Sequence, residues 1–297
     1  MRFLLSGSTG FVGSALAPWL RAQGHEVIPL VRHRARHDVS VASWDPTTGA
    51  LNLETCGPID AVLHLAGENI AGRWTRAKKQ RILDSRVAGT RLLSETIAGL
   101  DRRPVVMISA SAVGYYGDRG DEVLDEGSRA GVGFLADVCR QWEAATASAA
   151  AAGIRVVNLR MGVVLGAKGG ALARMLLPFR LGLGGRIGSG RQYMSWIAID
   201  DLLAAVHHVI SMPAITGPVN AVSPQPITNR EFTRALGTVL ARPAILPVPP
   251  VSLRLVFGEA ADQMILASCR AVPQRLEQTG FVFRFGDLEG ALRHILA

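Results

Sequence analysis

The sequence predicts an α/β fold of the Rossmann type, a doubly wound parallel sheet, with a smaller region at its C-terminal end. Three observations predict it. A glycine-rich turn follows a short apolar run at the start of the chain, strand-like and helix-like segments alternate through the first two thirds, and a proline-rich run begins near residue 246. Strands that alternate with helices are typical of a parallel sheet with right-handed crossovers.

The first turn joins a predicted strand at 2–5 to a predicted helix at 14–20. A helix N-terminus after a glycine turn presents free N–H groups and the positive end of the helix dipole, which favours an anion. We therefore expect the pyrophosphate of a dinucleotide here, and the alternative is a plain strand-to-helix turn. The turn has the spacing G-x-x-G-x-x-G and consists of Gly7, Ser8, Thr9, Gly10, Phe11, Val12 and Gly13.

The remaining elements follow in chain order. Apolar runs predict strands at 26–31, 61–66, 105–108 and 154–159, and helical spacing predicts helices at 76–98, 134–152 and 171–181. We expect a dinucleotide-binding domain at 1–225, with a glycine-rich insertion on the substrate side at about 166–200, and a small helical or mixed domain at 226–297. Ligands of such sheets bind beyond the carboxyl ends of the strands.

Composition narrows the class of partner. The chain of 297 residues has a net charge of +8, and only residues 73–91 are densely basic. That segment is either a solvated helix face or part of a site for an anionic small molecule, and we expect no nucleic-acid partner. The three cysteines are scattered, which predicts neither a disulfide framework nor a metal site. We expect a cytoplasmic protein without a membrane segment. We expect its substrate to be anionic or sugar-like. Whether the chain forms a homodimer or stays monomeric is open, and the sequence does not decide between the two.

The residues after the second strand favour NADP(H) over NAD. An acidic residue there would bind the ribose 2′-hydroxyl, whereas basic residues accommodate a 2′-phosphate. This chain has Arg32, His33 and Arg34, and guanidinium groups suit a phosphate. Further cofactor contacts are predicted where later strands end, at Leu65, Ala66, Gly67, Glu68, Ser109, Ala110 and Arg160.

Several further motifs are specific enough to compare with a known family. They are the turn at 7–13, LAGENI at 65–70, SRV at 85–87, SASAVGYYG at 109–117, RMGVVLG at 160–166, GSGRQYMSWI at 188–197 and LPVP at 246–249. Together they resemble the extended short-chain dehydrogenase/reductase superfamily and, within it, the YfcH-like branch of predicted NADP-dependent nucleotide-sugar epimerases. The resemblance runs essentially end to end, and the C-terminal motif is similar to a small domain of unknown function that ends members of this branch. One departure is Ala198, where a histidine is common.

The resemblance implies hydride transfer between a substrate carbon and the nicotinamide. A tyrosine usually moves the proton, assisted by a lysine four residues later. No Tyr-x-x-x-Lys occurs in this sequence, and the corresponding positions hold Leu135 and Cys139. Ser111 matches the serine that holds the substrate oxygen, and a loop serine that satisfies the backbone is the alternative. We expect an NADP(H)-binding, epimerase-like oxidoreductase that acts on a nucleotide-sugar or on a small carbonyl or hydroxyl compound.

Three hypotheses remain for the missing pair. In the first, Tyr115 or Tyr116 is the acid–base group, unless both only pack or contact substrate. In the second, Glu68 or Lys79 transfers the proton. In the third, the protein binds NADPH as a non-catalytic sensor or scaffold.

The predicted substrate pocket combines cationic and aromatic residues. Arginines would bind a phosphate or carboxylate, and aromatic rings would contact a sugar face; core packing is the alternative for the tryptophans. The residues are Arg73, Trp74, Arg86, Gln192 and Trp196.

Overall fold

The structure is a computed structural model that describes residues 1–32, 41–53 and 56–297, so the predicted cofactor residues His33 and Arg34 lie outside the described part. The strands are β1 Arg2–Ser6, β2 Glu26–Val31, β3 Ala42–Asp45, β4 Ala50–Asn52, β5 Ala61–His64, β6 Val106–Ala112, β7 Val123–Leu124, β8 Arg155–Met161, β9 Val163–Leu165, β10 Tyr193–Met194, β11 Trp196–Ala198, β12 Gly217–Ala221, β13 Ile227–Thr228 and β14 Arg270–Ala271. The helices are α1 Phe11–Ala22, α2 Arg76–Ala98, α3 Phe134–Ala144, α4 Ala147–Ala151, α5 Gly170–Arg180, α6 Ile199–Ser211, α7 Asn229–Leu240, α8 Pro250–Phe257, α9 Gln274–Gln278 and α10 Leu288–Leu296.

Eight strands form the central sheet, in the order β12-β8-β6-β5-β1-β2-β3-β4. Neighbours pair in parallel except β3 and β4, which are antiparallel. The chain moves outward from β1 in one direction through β2 and in the other through β5, so a crevice opens beyond the carboxyl ends of β1 and β5. This arrangement confirms the predicted Rossmann-type sheet. Ser109 and Ala110 are buried within β6, next along from β5.

Apolar layers cover both faces of the sheet. On one face α1 and α6 contribute Leu16, Leu20 and Val206 to a cluster with Leu5 and Ile108. On the other face, a second cluster takes side chains from α2 and α4, including Leu93, Ile97 and Ala149. None of the described helices is long and apolar enough to cross a membrane.

The C-terminal part has a core of its own that joins the substrate-side insertion. Residues of α5, α7 and α10 form one apolar cluster, which includes Leu176, Phe232 and Leu292. The carboxylate of Asp201 on α6 accepts the backbone N–H groups of Arg284 and Phe285, at 3.0 and 2.9 Å. Helices from both sides of the predicted domain boundary at 225/226 share this core. The boundary itself stays a prediction.

The structure corrects some predicted bounds. The predicted helix at 134–152 is two helices, α3 and α4, and the Thr146 hydroxyl at their junction donates to the Glu143 carbonyl at 2.7 Å. Such a side chain competes with helical hydrogen bonding. The prediction also missed α6 and α7. The start of α7 carried a usable signal, since Thr228 and Glu231 form a capping box.

Candidate functional site

The glycine turn at 7–13 packs directly against the loop that follows β5. Gly7 has φ +73°, in the left-handed region, and a Cβ there would lie 2.7 Å from the carbonyl carbon of Leu65. A Cβ on Gly13 would overlap the Gly7 carbonyl oxygen. The fold therefore needs both glycines. Gly10 differs, because the nearest atom to a Cβ there is the Gly7 oxygen at 3.3 Å, and only a small adjustment would admit a side chain.

The N-terminus of α1 faces this crevice without a side-chain cap. The N-cap is Gly10, which has no side chain to accept a hydrogen bond from the first turn, and that turn contains no acidic residue. The first N–H groups of a helix have no acceptor within the helix, so those after Gly10 are available to an anion. The Phe11 ring packs against glycines 166, 169 and 170, where side chains would collide with it. The turn thus fits the pyrophosphate of a dinucleotide.

A buried hydrogen-bond network supports the turn from below. The Ser6 hydroxyl accepts the N–H groups of Leu65 and Ala66 at 3.2 and 3.3 Å, so its own proton goes to His64 Nδ1, 2.7 Å away. His64 Nε2 then carries the ring proton and donates to the Thr90 hydroxyl at 2.9 Å. Full burial lowers the pKa of His64 to about 4. The neutral ring therefore fixes the ends of β1 and β5 relative to each other.

Cations surround Glu68 at the outer end of the same loop. The carboxylate accepts a hydrogen bond from Lys78 Nζ at 2.7 Å, and Arg81 Nε lies 3.7 Å away. The Lys78 bond lowers the pKa of Glu68 most, and the charges of Arg81 and Arg32 lower it further. Three cations and one carboxylate leave this group with a net charge of +2. The positive charge of this group favours binding of an anionic ligand nearby. Glu68 itself is a carboxylate in a salt bridge.

Ser111 belongs to a buried ion-pair network at the carboxyl end of β6. Its hydroxyl donates to Glu143 Oε1 at 2.7 Å, and Arg160 Nε and Nη2 bind the two oxygens of Glu143, each at 2.8 Å. Burial opposes the charge of Arg160, yet the hydrogen bonds and attraction of Glu143 raise its pKa above the ordinary value. Ser111 is 1% exposed and Arg160 3%. Arg160 is engaged with Glu143, and its predicted contact with the cofactor stays a prediction.

The two adjacent tyrosines have different environments. Tyr116 is fully buried, and its hydroxyl lies 2.7 Å from Asn220 Oδ1, 2.9 Å from the Asp125 carbonyl oxygen and 3.0 Å from Arg160 Nη1. Burial raises the pKa of Tyr116 to about 12. A hydroxyl so enclosed cannot reach a substrate, which argues against Tyr116 as an acid–base group. Tyr115 is half-buried, and the Arg160 guanidinium lies 3.5 Å from the centre of its ring.

The positions of the missing pair lie together on α3. Both Leu135 and Cys139 face Gly114, since a Cβ on that glycine would lie 3.5 Å from Leu135 Cβ and 4.0 Å from Cys139 Sγ. Burial raises the pKa of the Cys139 thiol to about 12, so it stays protonated and packs as an apolar group. Lys79 pairs with Glu259 at 2.8 Å, which leaves it poorly placed as a proton carrier.

Both tryptophans of the predicted substrate pocket are buried, which favours the alternative of core packing. Trp196 is fully buried and its indole N–H donates to the Gln225 carbonyl at 3.0 Å. Trp74 is 8% exposed, and its indole donates to the Ile70 carbonyl at 2.8 Å. Large aromatic rings with satisfied N–H groups are typical core residues. Gln192 donates to the Ile187 carbonyl at 3.2 Å.

The two arginines of the predicted substrate pocket donate hydrogen bonds to backbone carbonyl groups. Arg73 Nη1 donates to the Leu255 carbonyl at 3.1 Å and so joins the loop after β5 to α8. Arg86 Nη1 donates to the Glu68 carbonyl at 3.0 Å, and its guanidinium lies 4.9 Å from the centre of the Trp142 ring. Burial lowers the pKa of Arg86. These contacts position the loop from Gly67 onward, and a contact of the two arginines with substrate stays a prediction.

A large cavity opens beside the glycine turn, and the insertion predicted on the substrate side at about 166–200 supplies part of its lining. Its volume is about 910 Å³, and it lies between Phe11, residues 69–72, α5, α7 and the segment from Val248 to Ile265. Of the predicted cofactor residues that the structure describes, only Phe11 lines it, and none of the predicted substrate residues does. The rest of its lining comes from segments far apart in the chain, which no local sequence pattern brings together. Among the described residues no cluster of three His, Cys, Asp or Glu could hold a metal ion.

Comparison with known proteins places these features in a family. Residues 3–221 match the model of the NAD dependent epimerase/dehydratase family, and residues 248–295 match a domain of unknown function, DUF1731. The epimerase family protein Mb2239 of Mycobacterium bovis is 46% identical over 289 residues, which are 97% of this chain and 95% of that protein.

Solved structures agree with the fold. The crystal structure of human epimerase family protein SDR39U1 with NADPH is 36% identical, with a TM-score of 0.89 over 99% of both chains. That of a nucleoside-diphosphate sugar epimerase from Corynebacterium glutamicum is 39% identical, with a TM-score of 0.82 over 100% of this chain and 58% of the other. On the family model and these identities, the chain belongs to the NAD dependent epimerase/dehydratase family.

Proposed function

We propose that this protein binds NADP(H) at the glycine turn and is an oxidoreductase of the epimerase type for a carbonyl or hydroxyl substrate. The observation that carries the cofactor assignment is the uncapped N-terminus of α1 above a turn whose Gly10 has no packing role of its own. The human relative SDR39U1, whose crystal structure contains NADPH, supports the choice of dinucleotide.

The cations near Glu68 supply the selectivity for a phosphorylated ribose. Arg32 follows β2, where the adenosine ribose of a dinucleotide is bound in this type of fold. With Lys78 and Arg81 it keeps the neighbourhood positive even though Glu68 is present. A 2′-phosphate gains from these charges, whereas a 2′-hydroxyl does not.

Tyr115 is the acid–base group that we propose in place of the missing pair. Of the groups considered for proton transfer, it alone is half-buried and outside an ion pair, and a cation lies against its ring. The bound cofactor would supply or accept the hydride, and Tyr115 would give or take the proton at the substrate oxygen. Ser111, Glu143 and Arg160 act as positioning residues, because the ion pair of the last two holds the guanidinium against the tyrosine.

The two tyrosines offer a matched test. Tyr115→Phe should abolish NADPH oxidation by a panel of aldehydes and ketones, and NADP⁺ reduction by a panel of nucleotide-sugars, with the melting temperature and the NADPH dissociation constant unchanged. Tyr116→Phe should lower the stability by about 1–3 kcal/mol, because buried partners lose their hydrogen bonds, yet leave turnover of the folded protein near normal. The reverse pattern would refute the assignment to Tyr115.

A non-catalytic sensor is the second candidate. Leu135 and Cys139 favour it, since neither side chain can replace a tyrosine or a lysine. A sensor would bind NADPH tightly, show no turnover with any member of the same panel, and change its binding of a partner with the redox state of the cofactor. Turnover that Tyr115→Phe removes would exclude it.

A further inference from the structure

The cavity beside the glycine turn has a lining that is almost entirely apolar. Its walls carry aliphatic, aromatic and thioether side chains from five separate segments. Representative members are Ile70, Met175, Phe179, Phe232, Leu253 and Phe257. A volume of about 910 Å³ is within the usual size of small-molecule sites, which bury most of a ligand's surface. Apolar walls of this extent gain free energy when hydrocarbon replaces water.

Polar groups in the lining are few, and some are already engaged. Asn69 Oδ1 accepts the Ala71 N–H at 2.9 Å, and Asn229 Oδ1 accepts the Ile187 N–H at 2.7 Å. Arg174 is the one charged side chain among the described lining residues, and it is exposed on α5. The cavity therefore offers a ligand one cationic side chain at its margin and few hydrogen-bonding groups in its interior.

The walls are held by the C-terminal segment. The Leu246 and Val248 N–H groups donate to the Gly184 and Arg186 carbonyls, at 3.2 and 2.9 Å. A Cβ on Gly185 would overlap the Leu246 carbonyl, so this glycine allows the close approach of the two segments. The insertion and the C-terminal region therefore enclose the cavity together.

We propose that this cavity binds the body of the substrate, and that the substrate is a carbonyl or hydroxyl compound with a hydrocarbon body and a single carboxylate. The inference rests on the proposed function, because it assigns the substrate class of that reaction. Tyr115 and Ser111 do not line the cavity, so the reacting oxygen of the substrate lies outside it. The hydrocarbon body lies against the apolar walls, and the carboxylate lies toward Arg174. The cavity touches the glycine turn at Phe11. It also touches Asn69, which directly follows the predicted cofactor residues 65–68 in the chain.

A nucleotide-sugar suits this lining poorly. Its diphosphate carries two negative charges, and its sugar and ribose carry several hydroxyls. A buried polar group without a hydrogen-bond partner costs free energy, and an unpaired charge costs far more. The lining side chains offer one arginine, one threonine hydroxyl and two amides whose oxygens are already bonded, which cannot compensate for so many polar groups, so we expect weak binding of this substrate class.

Calorimetry with unbranched 2-oxo carboxylates of four to twelve carbons tests the inference. The protein is first saturated with NADP⁺, so that binding is measured without turnover, and UDP-glucose is the comparison ligand. Affinity should rise about threefold to fourfold per added methylene until the cavity is filled, which corresponds to about 0.8 kcal/mol per methylene. Affinities that do not depend on chain length, or tighter binding of UDP-glucose, would overturn the proposal.

Two leucines provide a matched pair of variants. Leu183 lines the cavity and is 56% exposed, whereas Leu181 does not line it and is 64% exposed. Leu183→Glu should weaken binding of the longest oxo acid at least tenfold and flatten the chain-length dependence, and Leu181→Glu should do neither. Equal effects of the two variants would contradict the site. Failure of the wild type to bind NADP⁺ would instead refute the proposed function, so the two failures are distinguishable.

Discussion

The crevice at the carboxyl edge of the sheet has two sides with opposite chemistry. One side offers the uncapped N–H groups of α1 and the cations Arg32, Lys78 and Arg81. The other side is the cavity, where Arg174 is the one charged side chain among the described lining residues. A charged dinucleotide fits the first side and a hydrocarbon body fits the second. The difference teaches that membership of an epimerase family does not by itself fix a sugar as the substrate.

The largest expected effect comes from the ion pair that positions Tyr115. Glu143→Gln leaves Arg160 buried without its counter-charge, which should lower the free energy of unfolding by about 3–5 kcal/mol. Chemical denaturation measures this loss. Glu289→Gln is the control, because Glu289 forms an exposed pair with Arg293 one helical turn away and should change stability by about 0.5 kcal/mol or less. Similar losses in both variants would contradict a special role of the buried pair.

His64 should make the polar side sensitive to acid. Burial lowers the pKa of His64 to about 4, whereas the unfolded chain has a value near 6.5. Between these pH values the unfolded chain takes up a proton that the folded chain does not, so stability falls as the pH drops through this range. The loss approaches about 3 kcal/mol at pH 4. Denaturation curves of the wild type and of His64→Gln should differ in this pH dependence, and identical slopes would contradict it.

Arg32 should separate the two dinucleotides. Arg32→Ala removes a cation that we assign to the 2′-phosphate, so the NADPH dissociation constant should rise about tenfold while that of NADH stays unchanged. Arg102→Ala serves as the control, because Arg102 pairs with Asp60 at the amino end of β5, on the opposite edge of the sheet. Equal weakening of NADPH and NADH by Arg32→Ala would show that the residue does not contact the phosphate.

The sequence indicated more of the polar side than of the apolar side, where the insertion predicted at about 166–200 supplies one part of the lining, and the reason is physical. The glycine turn and the residues after β1, β2 and β5 are local in the chain, and their spacing reflects local geometry. The cavity brings together Phe11, Ile70, Phe179 and Phe257, which only the tertiary fold makes neighbours. For Trp196 the sequence left a binding ring and core packing open, and the full burial of its indole favours core packing.

The environments of the two tyrosines and of Glu143 could not be predicted from the sequence either. Two adjacent tyrosines are equivalent in sequence, and only the structure shows that Tyr116 is enclosed while Tyr115 lies half-exposed against Arg160. Glu143 follows Trp142 in a recognisable pattern, yet its partnership with Ser111 and Arg160 depends on the packing of α3 against β6 and β8.

Calorimetric titration with NADPH of the wild type, Gly10→Ala and Gly99→Ala tests the central claim most directly. Gly10 has ordinary backbone angles, and a Cβ there meets only the Gly7 oxygen at 3.3 Å, so Gly10→Ala should fold normally. Gly99 also has an ordinary φ, of −84°, with no atom nearer than 3.6 Å to a Cβ, and lies at the end of α2. We predict that the wild type and Gly99→Ala bind NADPH alike and that Gly10→Ala binds at least tenfold more weakly, because the methyl group lies where the pyrophosphate approaches the backbone. Equal affinity in all three proteins would contradict the assignment of the dinucleotide to this turn.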